Sequence, residues 1–503
     1  MGYIKPIWII CIVSLLAAFF FNYLNVNSLP EHHLRNHTTV VTNDDLSYLR
    51  PAEEFYRTGQ WKDQIPGNIS NFLRPPGYGI LYYFCLLISE SHALLILKVF
   101  QVLLFTLSVY CLYKVSLFLV QRDRTALMIA AIYGITPFAM GFLSYTLTEG
   151  ITPALVIFYV YFLTKGYQVY SKEAKNLHFT LASLVFAYLF ITRPVLGILG
   201  LLLPIFILLV YKRWLKKMIL FGVIASSFMA IWQIRNYQFD HKIVGLHPIY
   251  YQDHNSIYRP PLKAFWNFAL GWNESVPKVH GYMIPFWKSA LKGNTSITEV
   301  NKVVDQLPDF VITHYGRDRL TRIFKAYQKA IIIQKPYYEQ HLPMPSSIVL
   351  EEQNVVKELN TLTAEFKHEF WFTYYIKSPF KVFIKMAFHS NLSMHVFQAT
   401  FRGNYLMEFF RIVFVALHAC CFIALLLHLI LFKRGARVGY ALYLTVFIYV
   451  FYLCFFQRGI EERYTLPILP ILLIGLFSQL EWWLNRFHFQ ISNPLKFSLS
   501  KKR

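Results

Sequence analysis

Apolar residues occur in this chain as long, uninterrupted blocks, a pattern typical of helices that cross a membrane. The first block, IWIICIVSLLAAFFFNYL at residues 7–24, has no charge and reaches the length of about 18 residues that a spanning helix needs. No small-residue cleavage site follows it, which favours a retained span over a signal peptide. With 55% hydrophobic residues among 503, the sequence predicts an all-α polytopic membrane protein. About ten transmembrane helices are expected, at 7–24, 93–119, 125–143, 150–166, 177–191, 195–211, 215–234, 404–432, 438–456 and 464–482.

One further apolar block, GYGILYYFCLLIS at 77–89, is shorter than the ~17 residues of a crossing helix. If this block does not cross and the N-terminus is cytoplasmic, the basic patches between spans share the inner side, as the positive-inside rule requires. We therefore predict an interfacial helix on the outer leaflet at 77–89. The inner patches are Arg122/Arg124, Lys165/Lys172/Lys175, Lys212/Arg213/Lys216/Lys217 and Lys433/Arg434/Arg437, joined by the C-terminal KKR.

The same alternation places a set of charged residues on the outer side of the membrane. The arginines among them oppose the orientation rule, so another favourable interaction must hold them there. The formal net charge of +22 is dispersed among the spans, which favours membrane lipids as partners, above all phosphate-bearing lipids, and no nucleic acid. The outer set comprises Asp44, Asp45, Arg74, Glu149, Arg193, the whole of 235–403, and Arg463.

The first outer loop carries a distinctive arrangement of residues. The stretches DDLSYLRPAEEFYRTGQW (44–61) and RPPGYG (74–79) resemble the first extracytoplasmic loop of polyprenyl-phosphate-sugar-dependent glycosyltransferases of the GT-C superfamily. The branch resembled is that of the dolichyl-phosphate-mannose protein mannosyltransferases and the lipid A aminoarabinose transferases. The matching positions are Asp44, Tyr48, Ala52 and Gly59, followed by the RPPGY turn.

Four more matches to this superfamily follow in order along the chain, all on the predicted outer face. They are Glu149 in SYTLTEG, Arg193 in FITRPVLG, the group Trp232, Arg235 and Asn236 in WQIRNYQF, and EERYTLPILP at 461–470. Each match is weak alone, but together they cover most of the transmembrane part of the chain. They do not cover the interior of 240–345.

The resemblance implies transfer of one sugar from a polyprenyl-phosphate donor to an acceptor hydroxyl. Such a reaction needs a carboxylate to take the acceptor proton and cations where charge builds on the departing phosphate. The resemblance makes Asp44 the candidate base, with Asp45 and Glu149 as further catalytic candidates that would orient the acceptor or a metal. The candidate phosphate-binding residues are Arg74, Arg193, Arg235, Arg463 and Lys98, and the candidates for positioning the sugar or acceptor are Tyr48, Tyr78, Asn236 and Tyr464.

The simpler interpretations of these residues remain open at this stage. An aspartate in an outer loop is commonly a solvated surface carboxylate, and an arginine or lysine at a span end commonly reaches to ordinary anionic lipid. No cofactor is certain. A divalent metal, Mg or Mn, is an open alternative, and Asp44, Asp45 and Glu149 would be its ligands.

The chain is expected to divide into three parts. Residues 1–234 would form an N-terminal transmembrane GT-C module whose catalytic outer loop is 25–92. Residues 235–403 would form a small, mostly helical extracytoplasmic cap with amphipathic helices, because 346–379 has helical apolar spacing up to Pro379. Residues 404–503 would form the C-terminal transmembrane helices and a short cytoplasmic tail.

The sequence therefore predicts a multi-pass membrane glycosyltransferase with an extracytoplasmic (periplasmic) active site and cytoplasmic termini. The acceptor would be a lipid, a glycan or a protein. One alternative is a GT-C-like glycan ligase or polymerase that uses a diphosphate-linked donor and works through arginines. Another is a transporter or flippase for lipid-linked sugars, against which the uninterrupted apolar stretches at 125–143, 195–211 and 438–456 argue.

Overall fold

The computed structural model describes most of the chain. Some sequence predictions lie outside the described residues, among them those on Lys433, Arg434, the C-terminal KKR, and the second half of an amphipathic segment expected at 380–397. The described residues are 5–42, 44–65, 68–70, 74–241, 243, 246, 257, 259–340, 349–389, 403–431, 437–458 and 462–492.

In the described part of residues 5–92, one long helix is followed by a compact loop, the one predicted to be outer. Two short antiparallel hairpins in this loop correct the all-α expectation locally, since sequence patterning had predicted no strand there. Helix α3 has 12 residues, in agreement with a block too short to cross. The elements are α1 (Pro6–Asn27), β1 (Leu34–Arg35), β2 (Thr39–Val40), α2 (Asp45–Thr58), β3 (Asp63–Ile65), β4 (Asn68–Ser70) and α3 (Gly77–Ile88).

The next part of the chain is helical throughout its regular structure. Helix α7 is central: every side chain from Thr152 to Val160 is buried, and the helix packs against α4 and α8. A helix that is apolar on all sides requires such an interior position. The elements are α4 (Ala93–Val120), α5 (Asp123–Ile135), α6 (Pro137–Met140), α7 (Thr152–Gln168), α8 (Lys172–Thr192), α9 (Leu202–Val210) and α10 (Trp214–Asp240).

Residues 260–369 form a helical cap with its own apolar core, separate from that of the membrane part. Helix α17 contributes Val355, Leu359, Leu362 and Phe366 to this core, as the apolar spacing of the sequence predicted. The elements are α11 (Pro260–Ala269), α12 (Val276–Leu291), α13 (Ile297–Val304), α14 (Asp309–Tyr315), α15 (Arg317–Ile332), α16 (Lys335–Glu339) and α17 (Leu350–Glu369).

The chain then returns to the membrane part through irregular helical turns. The sequence predicted that the helix would break at Pro379. Instead, a π-helical turn at Thr373–Lys377 leads directly into α18 (Ser378–Ala387), and Pro379 lies in the first turn of α18, where proline is tolerated. Helices α19 (Tyr405–Ile430) and α20 (Arg437–Tyr452) follow. A second π-helical turn at Leu453–Gln457 and a 3₁₀ segment at Glu462–Ile468 precede α21 (Leu469–Ser492).

The described part of the chain contains seven helices that are long and apolar enough to cross a membrane, so this is a multi-pass membrane protein. An eighth is reached if the bent pair Asp123–Ile135 and Pro137–Ser144, which meet at 51°, forms one span. The seven are Pro6–Asn27, Ala93–Val120, Lys172–Thr192, Trp214–Phe239, Tyr405–Ile430, Arg437–Gln457 and Arg463–Leu484.

The remaining expected spans differ from the prediction of long, uninterrupted helices. The stretch 125–143 bends before Pro137, because the residue that precedes a proline disfavours helical backbone. The stretch 195–211 starts as 3₁₀ helix at Pro194–Leu201 and becomes α-helical only at Leu202. Helix α7, by contrast, has the 17 residues expected for 150–166 and begins and ends two positions later. The breaks at Thr136 and Pro194 remove part of the sequence argument against a transporter.

A buried ion pair between Arg259 and Glu352 joins the start of α11 to α17 in the cap. Arg259 Nε and Nη2 donate to Glu352 Oε1 and Oε2 at 2.5 and 2.6 Å, and both residues are buried. The change Glu352→Gln leaves a buried guanidinium without its carboxylate, which typically costs about 3–5 kcal/mol. Hydrogen exchange of the full-length protein should show faster exchange in α11 and α17. Glu299→Gln, which removes an exposed pair with Lys302, is the control and should leave exchange in these helices unchanged.

Candidate active site

Asp44 lies at the start of α2 and binds two arginines. Its Oδ1 accepts a hydrogen bond from Arg74 Nη2 at 2.6 Å, and its Oδ2 accepts one from Arg463 Nη2 at 3.0 Å. Ser47, one turn along α2, accepts from Arg74 Nε at 3.0 Å and fixes the orientation of that guanidinium. The side chains of Asp44, Arg74 and Arg463 each keep 20–31% of their surface exposed, so a ligand can reach them.

Arg463 connects Asp44 to a second carboxylate. Its Nε lies 3.4 Å from Glu149 Oε1, and Arg193 Nη1 lies 2.6 Å from the same oxygen. Glu149 is buried, in a 3₁₀ turn just before α7, and Arg193 ends α8. The result is a continuous chain of ion pairs, Arg74–Asp44–Arg463–Glu149–Arg193, which we call the acid–arginine cluster.

The electrostatics of the acid–arginine cluster follow from opposing effects. Burial acts to raise the pKa of Glu149, but Arg193 and Arg463 outweigh it and hold that pKa below its ordinary value. Burial likewise acts to lower the pKa of Arg193, and Glu149 reverses this effect, so the pKa is raised. Three arginines against two carboxylates leave the cluster with a formal charge of +1.

Asp45 lies beside Asp44 in sequence but in a different environment. It is fully buried, and its Oδ2 lies 2.8 Å from Arg35 Nη2 in the first hairpin. Its Oδ1 accepts from the Leu46 N–H at 2.6 Å and its own N–H donates to Thr42 Oγ1, which fixes the first turn of α2. This carboxylate therefore fastens the hairpin to the helix that presents Asp44.

Aromatic rings line the acid–arginine cluster at both ends. The Arg74 guanidinium lies 5.2 Å from the centre of the Tyr48 ring, which meets Tyr78 edge to face. The Arg193 guanidinium lies 4.7 Å from the centre of the Tyr464 ring. Such rings add favourable cation–π contacts and apolar faces suited to a sugar. The structure thus brings the three predicted tyrosines to the cluster.

Three other predicted residues make different contacts. Lys98 Nζ donates to the Thr38 carbonyl in the first hairpin at 2.6 Å. Arg235 Nη2 donates to the Trp61 carbonyl, and its Nη1 donates to the side chain of Asn236 at 3.0 Å. Asn236 is fully buried. Lys98 and Arg235 therefore bind backbone of the first outer loop, a role that sequence spacing does not reveal.

The carboxylates of the site do not form a metal centre in the described part of the chain. No group of three or more His, Cys, Asp or Glu residues there lies close enough to hold an ion. Asp44, Asp45 and Glu149 each bind a guanidinium with at least one carboxylate oxygen. Each carboxylate already has a guanidinium as its counter-ion, and we derive no step through a metal.

Several residues that support the site were missed by sequence analysis. Buried Asp63 binds Arg50 at 2.9 Å; burial raises the pKa of this aspartate, against the lowering effects of Arg50 and Arg74. An outer-loop Arg–Asp pair 13 positions apart gives no recognisable signal.

Two histidines form a second unpredicted group next to Arg463. His389 Nε2 and His418 Nε2 each lie 3.2 Å from Thr465 Oγ1, and all three residues are buried. Burial, the His418 ring and Lys385 lower the pKa of His389 to about 2, so this ring is neutral. The pair fixes the segment that carries Arg463, but its members are far apart in sequence.

Comparison with known proteins gives similarity at the level of solved structures. No family model and no curated protein matches the chain. The oligosaccharyltransferase of Archaeoglobus fulgidus, crystallised as a complex with Zn and sulfate, is 12% identical with a TM-score of 0.46; the match covers 97% of this chain and 51% of that chain.

ArnT from Cupriavidus metallidurans is similar in two states. Its apo structure is 16% identical with a TM-score of 0.34, covering 93% of this chain and 76% of ArnT. Its structure bound to undecaprenyl phosphate is 15% identical with a TM-score of 0.35, covering 93% and 77%.

The chain spans about half the length of the oligosaccharyltransferase. Since these three TM-scores are below 0.5, the function proposed below depends on contacts within this chain.

The acid–arginine cluster predicts a pH-dependent stability. The change Glu149→Gln leaves Arg193 buried without its carboxylate, at a typical cost of about 3–5 kcal/mol near neutral pH. Because the folded-state pKa of Glu149 is below its ordinary 4.5, this stabilisation is complete above pH 4.5 and is lost as the pH falls through the lower folded value. Thermal unfolding of the wild type and variant should therefore converge in acid. Glu31→Gln, at a carboxylate whose side chain is 80% exposed, should match the wild type throughout.

Proposed function

We propose that this protein is a membrane glycosyltransferase that moves one sugar from a polyprenyl-phosphate donor to an acceptor hydroxyl. The reaction would take place on the extracytoplasmic face of the cytoplasmic membrane. One observation carries the proposal: Arg463 links Asp44 to Glu149, so that residues from four outer turns meet in a single acid–arginine cluster. A solvated surface carboxylate or a lipid-directed arginine would not require this convergence.

The charge of the cluster suits a polyprenyl-phosphate sugar. The donor is a phosphodiester with one negative charge, and the cluster carries a formal +1. Arg74 and Arg463 are partly exposed and present planar forks that match phosphate oxygens. Arg193 lies deeper and holds Glu149. The donor phosphate would therefore bind against Arg74 and Arg463, with the overall charge neutralised.

The proposed step is a displacement at the anomeric carbon of the sugar. The acceptor oxygen forms a bond to that carbon, while the bond from the carbon to the phosphate oxygen breaks and its electron pair stays on the phosphate. The acceptor proton moves to Asp44. The arginines stabilise the additional charge on the departing polyprenyl phosphate, which is where preorganised cations lower a barrier most.

Asp44 retains the capacity to accept this proton. An ionised carboxylate has about four lone-pair positions, and the two arginines use one on each oxygen. The arginines also orient the carboxylate, so that little reorganisation is needed during the reaction. Asp45 would act as a positioning residue, through its hold on the first turn of α2.

The contacts of the cluster also support placing its residues on a single side of the membrane. Because Asp44 and Glu149 meet through Arg463, both lie on one side of the membrane, so the bent pair α5–α6 must return the chain that α4 carries across. Glu149 and Arg193 are in contact, so α7 must cross if α8 does. This arrangement is consistent with an α3 that does not cross the membrane. It also places the acid–arginine cluster at the ends of helices, whereas transporters bind their substrates near the middle of the membrane.

A ligase or polymerase with a diphosphate-linked donor is the second candidate. The observation in its favour is that both oxygens of Asp44 already bind arginines, as they would if the aspartate served only to position them. A diphosphate carries two negative charges, one more than the cluster neutralises. The role of Asp44 in proton transfer separates the two candidates.

The change Asp44→Asn tests the base. It preserves size but removes the proton acceptor, so single-turnover transfer on donor-loaded protein should fall by at least ~10²-fold. Donor affinity should stay within a few-fold of the wild type. Arg463→Lys is the matched comparison: it keeps the charge, loses the fork, and should weaken donor binding. Wild-type transfer by Asp44→Asn would favour the arginine-driven ligase instead.

Cysteine labelling tests the orientation. Five of the six native cysteines are buried, so a background without Cys420 gives low labelling. In intact cells, an impermeant maleimide should react with Thr58→Cys and Ser91→Cys, both exposed in the first outer loop. Tyr170→Cys, at a position 96% exposed between α7 and α8, should react only after lysis. Labelling of position 170 in intact cells would contradict the proposed orientation.

A further inference from the structure

A polar cavity lies away from the acid–arginine cluster, between the cap and the end of α20. Its volume is about 410 Å³, within the ~300–1,000 Å³ of small-molecule sites. Its lining includes two cationic side chains, two side-chain amides and several aromatic rings. The described lining residues that matter here are Arg458, Lys367, Asn267, Asn360, Tyr374 and Phe455.

The two cations of this cavity have no carboxylate partner among the described residues. Arg458 is 4% exposed; its guanidinium donates to the carbonyls of Phe455, Leu270 and Tyr374 at 3.0, 3.4 and 2.9 Å. Lys367 lies 5.2 Å from the centre of the Tyr374 ring. The Arg458 guanidinium also lies 4.0 Å from the centre of the Tyr374 ring. A buried arginine held by carbonyl oxygens and an aromatic ring retains a positive charge that an anion would neutralise.

The acidic residues nearest to Lys367 on α17 are already paired elsewhere. Glu365 forms a bidentate pair with Arg319 at 2.7 and 2.9 Å, and Glu369 lies 2.9 Å from His314 Nε2. Helix α17 therefore presents Lys367 and Asn360 to the cavity while its neighbouring carboxylates bind partners in the cap. The charged side chains among the described lining residues, Arg458 and Lys367, are both positive.

The backbone around this cavity is unusual at three points. Arg458 has φ +46°, a left-handed conformation that costs a non-glycine residue about 1 kcal/mol or more. Both π-helical turns of the described chain supply lining residues: Thr373–Lys377 supplies Tyr374, and Leu453–Gln457 supplies Phe455. Backbone strain and π-turns occur most often at functional sites.

We propose that this cavity binds an anionic sugar unit, a sugar that bears a phosphate or carboxylate. Arg458 and Lys367 bind the anionic group while the Tyr374 ring holds these two cations, Asn267 and Asn360 bind hydroxyls, and the Phe455 ring packs against the apolar face of the sugar. Arg458 uses three of its five N–H donors in the bonds described above, so two N–H groups are available.

This site would hold part of the acceptor, an assignment that depends on the proposed function. The binding itself does not depend on it. Arg458 precedes Arg463 by five positions, so the cavity and the acid–arginine cluster are attached to one segment of chain. The anionic sugar could be a lipid headgroup or part of a soluble glycan; the chemistry of recognition is the same.

Binding to the full-length protein in nanodiscs tests the proposal, with glucose 6-phosphate as the probe. Calorimetry should detect glucose 6-phosphate, and both glucose and inorganic phosphate should bind at least tenfold more weakly. Lys367→Gln should lose at least tenfold in affinity, whereas Lys325→Gln, at an exposed lysine of α15, should bind as the wild type does. In unmodified protein, the probe should protect Lys367 but not Lys325 from acetylation.

The outcomes separate the possibilities. Equal affinity for inorganic phosphate and glucose 6-phosphate would overturn the sugar part of the proposal, and unchanged affinity in Lys367→Gln would overturn the site. Protection of Lys367 by phosphatidylinositol in the nanodisc, but not by the soluble probe, would identify a lipid headgroup as the source of the ligand. Because Asp44→Asn should still bind glucose 6-phosphate, failure of the proposed catalytic base and failure of this site would give different results.

Discussion

The link that Arg463 forms between Asp44 and Glu149 joins four connecting segments of this membrane protein. Glu149 is buried, and a buried carboxylate is costly unless it is paired. The polypeptide satisfies it by bringing Arg193 from one turn and Arg463 from another, and Arg463 then reaches the first outer loop. Packing of the helices around α7 is therefore favoured when these charges meet, so the same contact stabilises the fold and assembles the site.

Some features of the helices can be predicted from sequence better than others. Length and apolar character decide whether a helix such as α4 can cross a membrane, and both can be read from sequence. The breaks at Thr136 and Pro194 depend on local backbone preference within an otherwise apolar stretch, so hydropathy alone predicted longer helices there. The small hairpins of the first loop are too short to have a period. Helix α17 was predictable because its apolar residues repeat at helical spacing against a single core.

The residues of the site were predictable as candidates but not as partners. Arginines at outer turns oppose the orientation rule, which singled out Arg74, Arg193 and Arg463. Nothing in their spacing says which carboxylate each one meets, because the pairs join residues as far apart as 44 and 463. Asp45 was predicted to orient the acceptor or a metal, yet it is buried and its side chain binds Arg35 of the first hairpin. Lys98 and Arg235 bind backbone carbonyls, a type of contact that leaves no trace in sequence patterns.

The chain between α20 and α21 carries both Arg458 of the proposed anion-binding cavity and Arg463 of the acid–arginine cluster. Arg458 is held in a strained conformation by the carbonyls of Leu270 in the cap and of Tyr374 and Phe455 in the two π-helical turns. The 3₁₀ segment Glu462–Ile468 is held through Thr465 by His389 and His418, and Arg463 is its second residue. A ligand that neutralises Arg458 would relieve the cost of an unpaired buried cation, and its contact with the cap would also steady the segment that carries Arg463. Under the proposed function, an acceptor bound in the cavity would therefore help to order the arginine that orients the base, which couples acceptor recognition to catalysis without a separate moving domain.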